Sequence, residues 1–243
     1  VSLRSAASIV GHLDRKAYAP VLVGIAKDGS WHLQDEGAAD PASFASGSLP
    51  LAQGARVFVA PGQGLVVERK GRLEALSCDL VFPVLHGTFG EDGTIQGLLE
   101  VAGLPYVGAP VLGSALGMDK EKAKELWLRA GLPVLPYVIV RRGDLPAAGT
   151  PAARASEAAL REKVSSKLGW PAFVKPVCAG SSVGASKVAR PEELLPALRE
   201  ALEWDEKAII EPFVVAREIE CAVLGNEKRS EEHTSELQSL TDI

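Results

Sequence analysis

Val174-Lys175-Pro176-Val177-Cys178-Ala179-Gly180-Ser181-Ser182-Val183-Gly184 is the stretch from which the rest of the chain is read. The apolar run over residues 171–174 predicts a short buried strand. It delivers Lys175 into a turn marked by Pro176, followed by a loop of small residues between Gly180 and Gly184. Glycine allows positive φ and a close approach of backbone to ligand. Successive N–H groups in such a turn cradle an anion, and a neighbouring lysine adds a point charge. The order differs from that of a P-loop, because the lysine precedes the glycines and residues 185–188 after them read as a strand. The pattern fits phosphate binding, and it also fits a tight hairpin with an exposed lysine.

The wider composition narrows the choice. A chain of 243 residues holds one large or two ordinary domains, and 47% hydrophobic residues support a folded core. The formal charge of −5 argues against a general nucleic-acid binder. Alternating apolar and polar runs predict an α/β architecture. The three cysteines, Cys78, Cys178 and Cys221, have no paired spacing, which favours a reducing compartment over a disulfide framework or a zinc site. No run is apolar and long enough to span a bilayer, and no signal-peptide pattern opens the chain. It begins without methionine and inside a helical pattern, so truncation is expected.

In order, residues 1–13 carry apolar side chains at helical spacing, with Leu3, Ala6, Ala7, Val10 and Leu13 on one face. Residues 21–25 and 56–59 read as strands, residues 38–54 as a loop or weak helix, and residues 63–76 as a hairpin turning at Lys70-Gly71. The all-apolar stretch 80–85 predicts a strand buried on both faces of a parallel sheet. It runs into His86-Gly87-Thr88-Phe89-Gly90-Glu91-Asp92-Gly93-Thr94-Ile95-Gln96-Gly97, a dense polar turn that opens a helix over 94–101. The carboxyl edge of a sheet is where open α/β folds bind ligands, which makes His86 a candidate site residue.

Asp119 is placed to cap a helix over 120–130, with Ala123, Leu126, Trp127 and Ala130 on its apolar face. Further strands are expected at 137–141, 207–211 and 217–224, and helices at 156–168 and from Pro191 to Trp204. Pro196 should kink the last of these.

The stretch 86–97 resembles the amino-terminal signature of D-alanine–D-alanine ligases. The resemblance continues through Met118-Asp119-Lys120, Val174-Lys175-Pro176, Gly180-Ser181-Ser182-Val183-Gly184 and the run Arg217-Glu218-Ile219-Glu220-Cys221-Ala222-Val223-Leu224-Gly225. It covers most of residues 1–226, and several long motifs in one order are specific. The resemblance implies an ATP-grasp fold of the α/β class, with a Rossmann-like N-terminal domain (1–115) and a first ATP-grasp subdomain (116–228), the C-terminal subdomain being absent. It implies ATP and Mg2+ as cofactors, D-alanine as substrate, a homodimer, and a cytoplasmic enzyme of peptidoglycan synthesis. Phosphoryl transfer of this kind needs cations, backbone donors and a metal.

Carried over by motif, Lys120 and Lys175 resemble the lysines that contact phosphate. Gly180, Ser182, Val183 and Gly184 belong to the lid over the phosphates, and Ser181 resembles the serine of a catalytic hydrogen-bonded triad. Glu211, Phe213 and Val214 resemble the linker that holds adenine, whose edge needs one donor and one acceptor. Glu218 resembles the acid on the ribose, and His86 the histidine of the substrate pocket. The family's upstream glycine-rich loop and glutamate, its triad tyrosine, its metal ligands and its phosphate-facing arginine fall outside the matching residues. The chain as written is therefore expected to be inactive and to carry no metal ligand of its own.

Residues 229–240 resemble the in-frame translation of a common sequencing adapter. Residues 229–243 are thus expected to be a non-native, unstructured tail. Alternatives to D-alanyl-D-alanine synthesis are a D-alanyl-D-lactate ligase and a non-catalytic nucleotide-binding module.

Overall fold

The computed structural model describes residues 2–35, 51–145, 150–217, 219–225 and 230–236. Most of the expected loop or weak helix at 38–54 lies outside them. The first unit begins with α1 (Ser2–His12) and then builds a five-stranded antiparallel meander from β1 (Leu22–Ile25), β2 (Trp31–Gln34), β3 (Arg56–Ala60), β4 (Gly64–Arg69) and β5 (Arg72–Leu76). The β4–β5 hairpin turns at Lys70 and Gly71, both with positive φ, as its two-residue connection requires. Val57, Leu65 and Val67 of this sheet pack on Ile95, Leu99 and Ala102 of α2 (Thr94–Ala102). Gly103 closes α2 in the left-handed conformation, its N–H returning to the carbonyls of the last turn.

The sheet differs from expectation at residues 80–85. Instead of a buried parallel strand, this stretch makes one parallel bridge, Val81 to Tyr106, with Leu80 and Phe82 half exposed. Residues 80–85 instead form one wall of an apolar cavity of about 410 Å³ whose other walls come from α1 and β1.

Helix α3 (Val111–Met118) joins the two units, so the expected boundary at 115/116 falls inside a helix. It runs directly into α4 (Lys120–Arg129), whose start is capped by Asp119 accepting from the Lys122 N–H at 3.0 Å. The second sheet has the order β6-β9-β7-β8, antiparallel throughout, formed by β6 (Val138–Arg141), β7 (Ala172–Pro176), β8 (Ser186–Val188) and β9 (Lys207–Pro212). Ala172, Val174, Ala208 and Ile210 point from one face into a core closed by α5 (Pro151–Lys167) and α6 (Leu194–Trp204). The alternate residues of β7 and β9 face α4, and that face carries the polar chemistry described below.

Three further expectations change. The face of α4 that packs inward carries Glu121, Ala123 and Lys124, while Leu126 and Trp127 are exposed. Pro196 introduces no mid-helix break, because Pro191–Glu193 is a 3₁₀ turn and α6 starts at Leu194. Pro196 therefore sits in the first α-helical turn, where its missing N–H is not required. Finally, β11 (Ser230–Glu236) is a strand, paired antiparallel with β10 (Ile219–Leu224), where an unstructured tail was expected. A strand edge offers unpaired N–H and C=O groups, and a segment without proline or glycine can pair with it through main chain alone.

Candidate functional site

The site is built where β7, β9 and the start of α4 meet. Glu211 of β9 stands opposite Phe173 in the register, so Lys175, two residues further along β7, is its diagonal neighbour on the same face. The Lys175 ammonium reaches Glu211 Oε2 at 2.6 Å, and Lys124 of α4 pairs with Oε1. Glu211 is only 5% exposed. Burial pushes its carboxyl up, but the hydrogen bonds from Lys124 and Lys175 outweigh this and hold it below the usual carboxylate range. The expected turn position of Lys175 is corrected slightly, since it lies within β7 and the turn begins after Pro176.

Lys120 stands at the other end of the same cluster. Its ammonium donates to the carbonyls of Val177 at 3.0 Å and Ala179 at 2.6 Å, so it ties α4 to the stem of the glycine loop. Burial lowers its pKa, and the nearby positive charge of Lys175 lowers it further. Three lysines thus surround one buried carboxylate, a net surplus of positive charge at the foot of an N–H-rich loop. That arrangement suits a polyanion.

The loop itself has an unusual backbone. Ser181 and Ser182 both have positive φ, a rare conformation for residues with a Cβ. Val183 N–H donates to Gly180 O, and Ala185 N–H to Ser182 O, each at 3.2 Å. Gly184 follows with φ 62°, and a Cβ there would lie 2.5 Å from Trp204 Cδ1. Cys178, in the stem, donates its N–H to Asp205 Oδ2 at 2.6 Å. Burial, then the charges of Asp205 and Asp119, push its thiol up to about 11, so it is no nucleophile.

Beyond Glu211, the Phe213 N–H donates to Pro171 O at 2.9 Å. Of the expected adenine linker, Phe213 therefore offers only its carbonyl, and a donor must come from Val214. Lys187 of β8 lies 3.9 Å from the Phe213 ring centroid. Glu218 lies outside the described residues.

His86 belongs to the first unit. Its Nε2 is 3.1 Å from Ser5 Oγ of α1. The acids that follow it are engaged inside their own turn, where Glu91 accepts from Gly87 N–H at 2.6 Å and Asp92 from Phe89 N–H at 2.8 Å and Thr94 N–H at 3.0 Å. They shape the loop and cap α2, leaving His86 as the reactive group of the motif.

The structure thus brings Lys120, Lys175 and Glu211 together beside the 180–184 loop, and places His86 on a separate element. Sequence reasoning passed over Lys124. Its signal was present, as a lysine one helical turn beyond Lys120 on the same side of α4, where both can reach one sheet.

Residues 1–109 match the family model described as D-ala D-ala ligase N-terminus, and residues 126–243 match that described as D-ala D-ala ligase C-terminus. The chain belongs to the D-alanine–D-alanine ligase family. The D-alanine--D-alanine ligase of Treponema denticola is 44% identical over 231 residues, 94% of this chain and 61% of that protein. Among solved structures, the D-alanine-D-alanine ligase from Coxiella burnetii superposes with TM-score 0.80 at 33% identity, covering 97% of this chain and 66% of that one. The VanG D-Ala:D-Ser ligase from Enterococcus faecalis gives TM-score 0.79 at 33% identity, covering 96% and 64%. The fold is that of the ligase family, ATP-grasp. The chain spans 61% of the Treponema relative's length. Among the described residues, no group of three His, Cys, Asp or Glu side chains could hold a metal ion, so the magnesium ligands implied by the family are not among them.

Proposed function

We propose that this chain carries the phosphate-binding part of an ATP-dependent carboxylate–amine ligase that joins two D-alanines. The observation that carries the reading is the cluster of Lys120, Lys124 and Lys175 about Glu211, at the stem of a loop with two left-handed serines, in a chain of the D-alanine–D-alanine ligase family. In this reading the adenine edge meets the backbone of Phe213 and Val214, with Glu211 beneath it and Glu218 toward the ribose. The phosphates take Lys175 and Lys120 and are covered by residues 180–184. Those cations and N–H groups gather charge as it spreads over the transferring phosphoryl group, which is the main demand of such chemistry.

The γ-phosphoryl group passes to a carboxylate oxygen of the first D-alanine, and ADP departs. The amine of the second D-alanine attacks the carbonyl carbon, and inorganic phosphate leaves as the amide forms. His86 faces the amino-acid pocket, and Ser181 orients substrate from the loop. Magnesium, where bound, neutralises phosphate charge through residues other than those described. The product serves peptidoglycan synthesis, and the setting is the cytoplasm. No described helix is long and apolar enough to cross a membrane. The intact enzyme is a homodimer in this reading.

A second reading changes the acceptor. The likeness to a D-Ala:D-Ser ligase at almost the same TM-score favours keeping D-serine and D-lactate as rival second substrates. The test uses the full-length protein with ATP, Mg2+ and D-alanine, and measures phosphate release and dipeptide by mass. Lys175→Ala is expected to raise the ATP requirement about tenfold or more, the scale of a lost charge-assisted hydrogen bond. Unchanged ATP kinetics in that variant overturn the site. A product containing D-serine or D-lactate in competition with D-alanine selects the second reading.

A further inference from the structure

Glu211 is held by two lysines that are not equivalent. Lys124 comes from α4, its side chain 11% exposed, and its ammonium also lies 5.5 Å from the Tyr137 ring centroid. Lys175 comes from β7, its side chain 27% exposed. Only Lys175 has the freedom to turn outward toward a ligand, and if it does, it must leave a carboxylate that is almost wholly buried. A buried carboxylate that loses its only cation takes up a proton or shifts. Lys124 removes that difficulty, because it remains on Oε1 whatever Lys175 does.

We infer that Lys124 is a positioning residue: it keeps the Glu211 carboxylate ionised and in place while Lys175 transfers from Glu211 to the phosphate of a bound nucleotide. This deepens the proposed nucleotide site and rests on it. The charged and titratable groups facing Glu211 are Lys124 from α4, Lys175 from β7 and, at longer range, Lys120 from the start of α4. With Lys124 present, loss of Lys175 leaves one direct cation on Glu211. Without Lys124 it leaves none, and nucleotide binding then carries a proton onto Glu211.

The experiment titrates ATP into the 243-residue chain by calorimetry, in two buffers of different ionisation enthalpy and between pH 6 and 8, conditions set by the ordinary carboxylate and lysine ranges. The unaltered chain is expected to bind without proton uptake at Glu211. Lys124→Met is expected to bind about tenfold more weakly at pH 8 and to take up close to one proton, so that its affinity falls by up to about one log unit per pH unit as pH rises. Lys124→Arg restores a fixed cation and abolishes the uptake. Lys124→Met combined with Glu211→Gln leaves no carboxylate to titrate, so its uptake returns to zero even if affinity stays low. This variant also keeps the test alive should Lys124→Met alone fold poorly, as judged by circular dichroism.

If Lys124→Met matches the unaltered chain in affinity and proton count, the inference falls even if the variant melts at lower temperature. If Lys175→Met binds ATP as the unaltered chain does, or the unaltered chain does not bind ATP, the nucleotide-site reading falls first and the inference with it.

Discussion

Replacing Lys207 by methionine tests whether α4 is aimed by charge. Lys207 leaves β9 toward the start of α4, and its ammonium donates to Asp119 Oδ2 at 2.7 Å and Glu121 Oε2 at 2.8 Å. The side chains of Lys207, Asp119 and Glu121 are 19%, 19% and 9% exposed, so both bonds are sheltered from water without being fully buried. Each charge-assisted bond contributes about 1.5–3 kcal/mol when well sheltered. Two compensations survive the substitution: Asp119 keeps the Lys122 N–H at 3.0 Å, and Glu121 keeps Arg141 at 3.4 Å. Discounted for these, the expected loss of stability is about 2 kcal/mol, below the ~3–5 kcal/mol of a fully buried pair broken on one side.

The pH dependence of that loss is more diagnostic than its size. Burial raises the Asp119 pKa, but the hydrogen bond from Lys207 and its neighbours hold it below the ordinary 3.8. Its folded value is depressed, so its contribution is present above pH 3.8 and is lost as pH falls through the folded value. For Lys207, burial lowers the pKa, but the bonds to Asp119 and Glu121 raise it above the ordinary 10.5. Its contribution is full below 10.5 and is lost as pH rises through the folded value. The stability gap between the natural chain and Lys207→Met, measured by urea unfolding, is therefore expected to be flat across neutral pH and to close at both extremes. A gap under about 0.5 kcal/mol at pH 7, the usual size of an exposed surface effect, refutes the reasoning. So does a gap that persists unchanged in acid.

In the full-length protein, His86→Ala is expected to raise the D-alanine KM while leaving ATP binding within about threefold; steady-state kinetics with each substrate varied separates the two, and a selective loss of ATP affinity rejects the assignment. Gly184→Ala is expected to cost about 1–3 kcal/mol in thermal unfolding, because its φ of 62° and the 2.5 Å approach to Trp204 leave no room for a Cβ; an unchanged melting temperature shows that the loop packs otherwise. Cys178, its thiol pushed up to about 11, is expected to be alkylated by iodoacetamide at pH 8 far more slowly than a free cysteine; peptide mass mapping that finds it modified first contradicts the packing of the loop stem.

What the sequence made legible is what depends on neighbours in the chain. The hairpin at Lys70-Gly71, the Asp119 cap and the β7–loop–β8 unit each follow from residues a few positions apart. Residues 80–85 misled for a related reason: an apolar run states that burial is wanted, not which ladder supplies it, and here a single bridge and a cavity wall take its place. The face of α4 misled more instructively. Periodicity assigns a helix's inward face to its apolar residues, which is right when the surface it meets is apolar. The surface that α4 meets carries Lys207 and Glu211, four residues apart on one face of β9. Glu121 and Lys124, three apart on one face of α4, answer them with opposite signs: Lys207 takes Glu121, and Glu211 takes Lys124. Neither pair of charges has meaning alone, and their partners lie 86 residues away in the case of Lys207 and Glu121. Reversing one pair only, for instance Glu121→Lys with Lys207 unchanged, places like charges in contact. Restoring the pairing with Lys207→Glu distinguishes a charge code from simple packing, because packing alone gives the double variant no reason to recover.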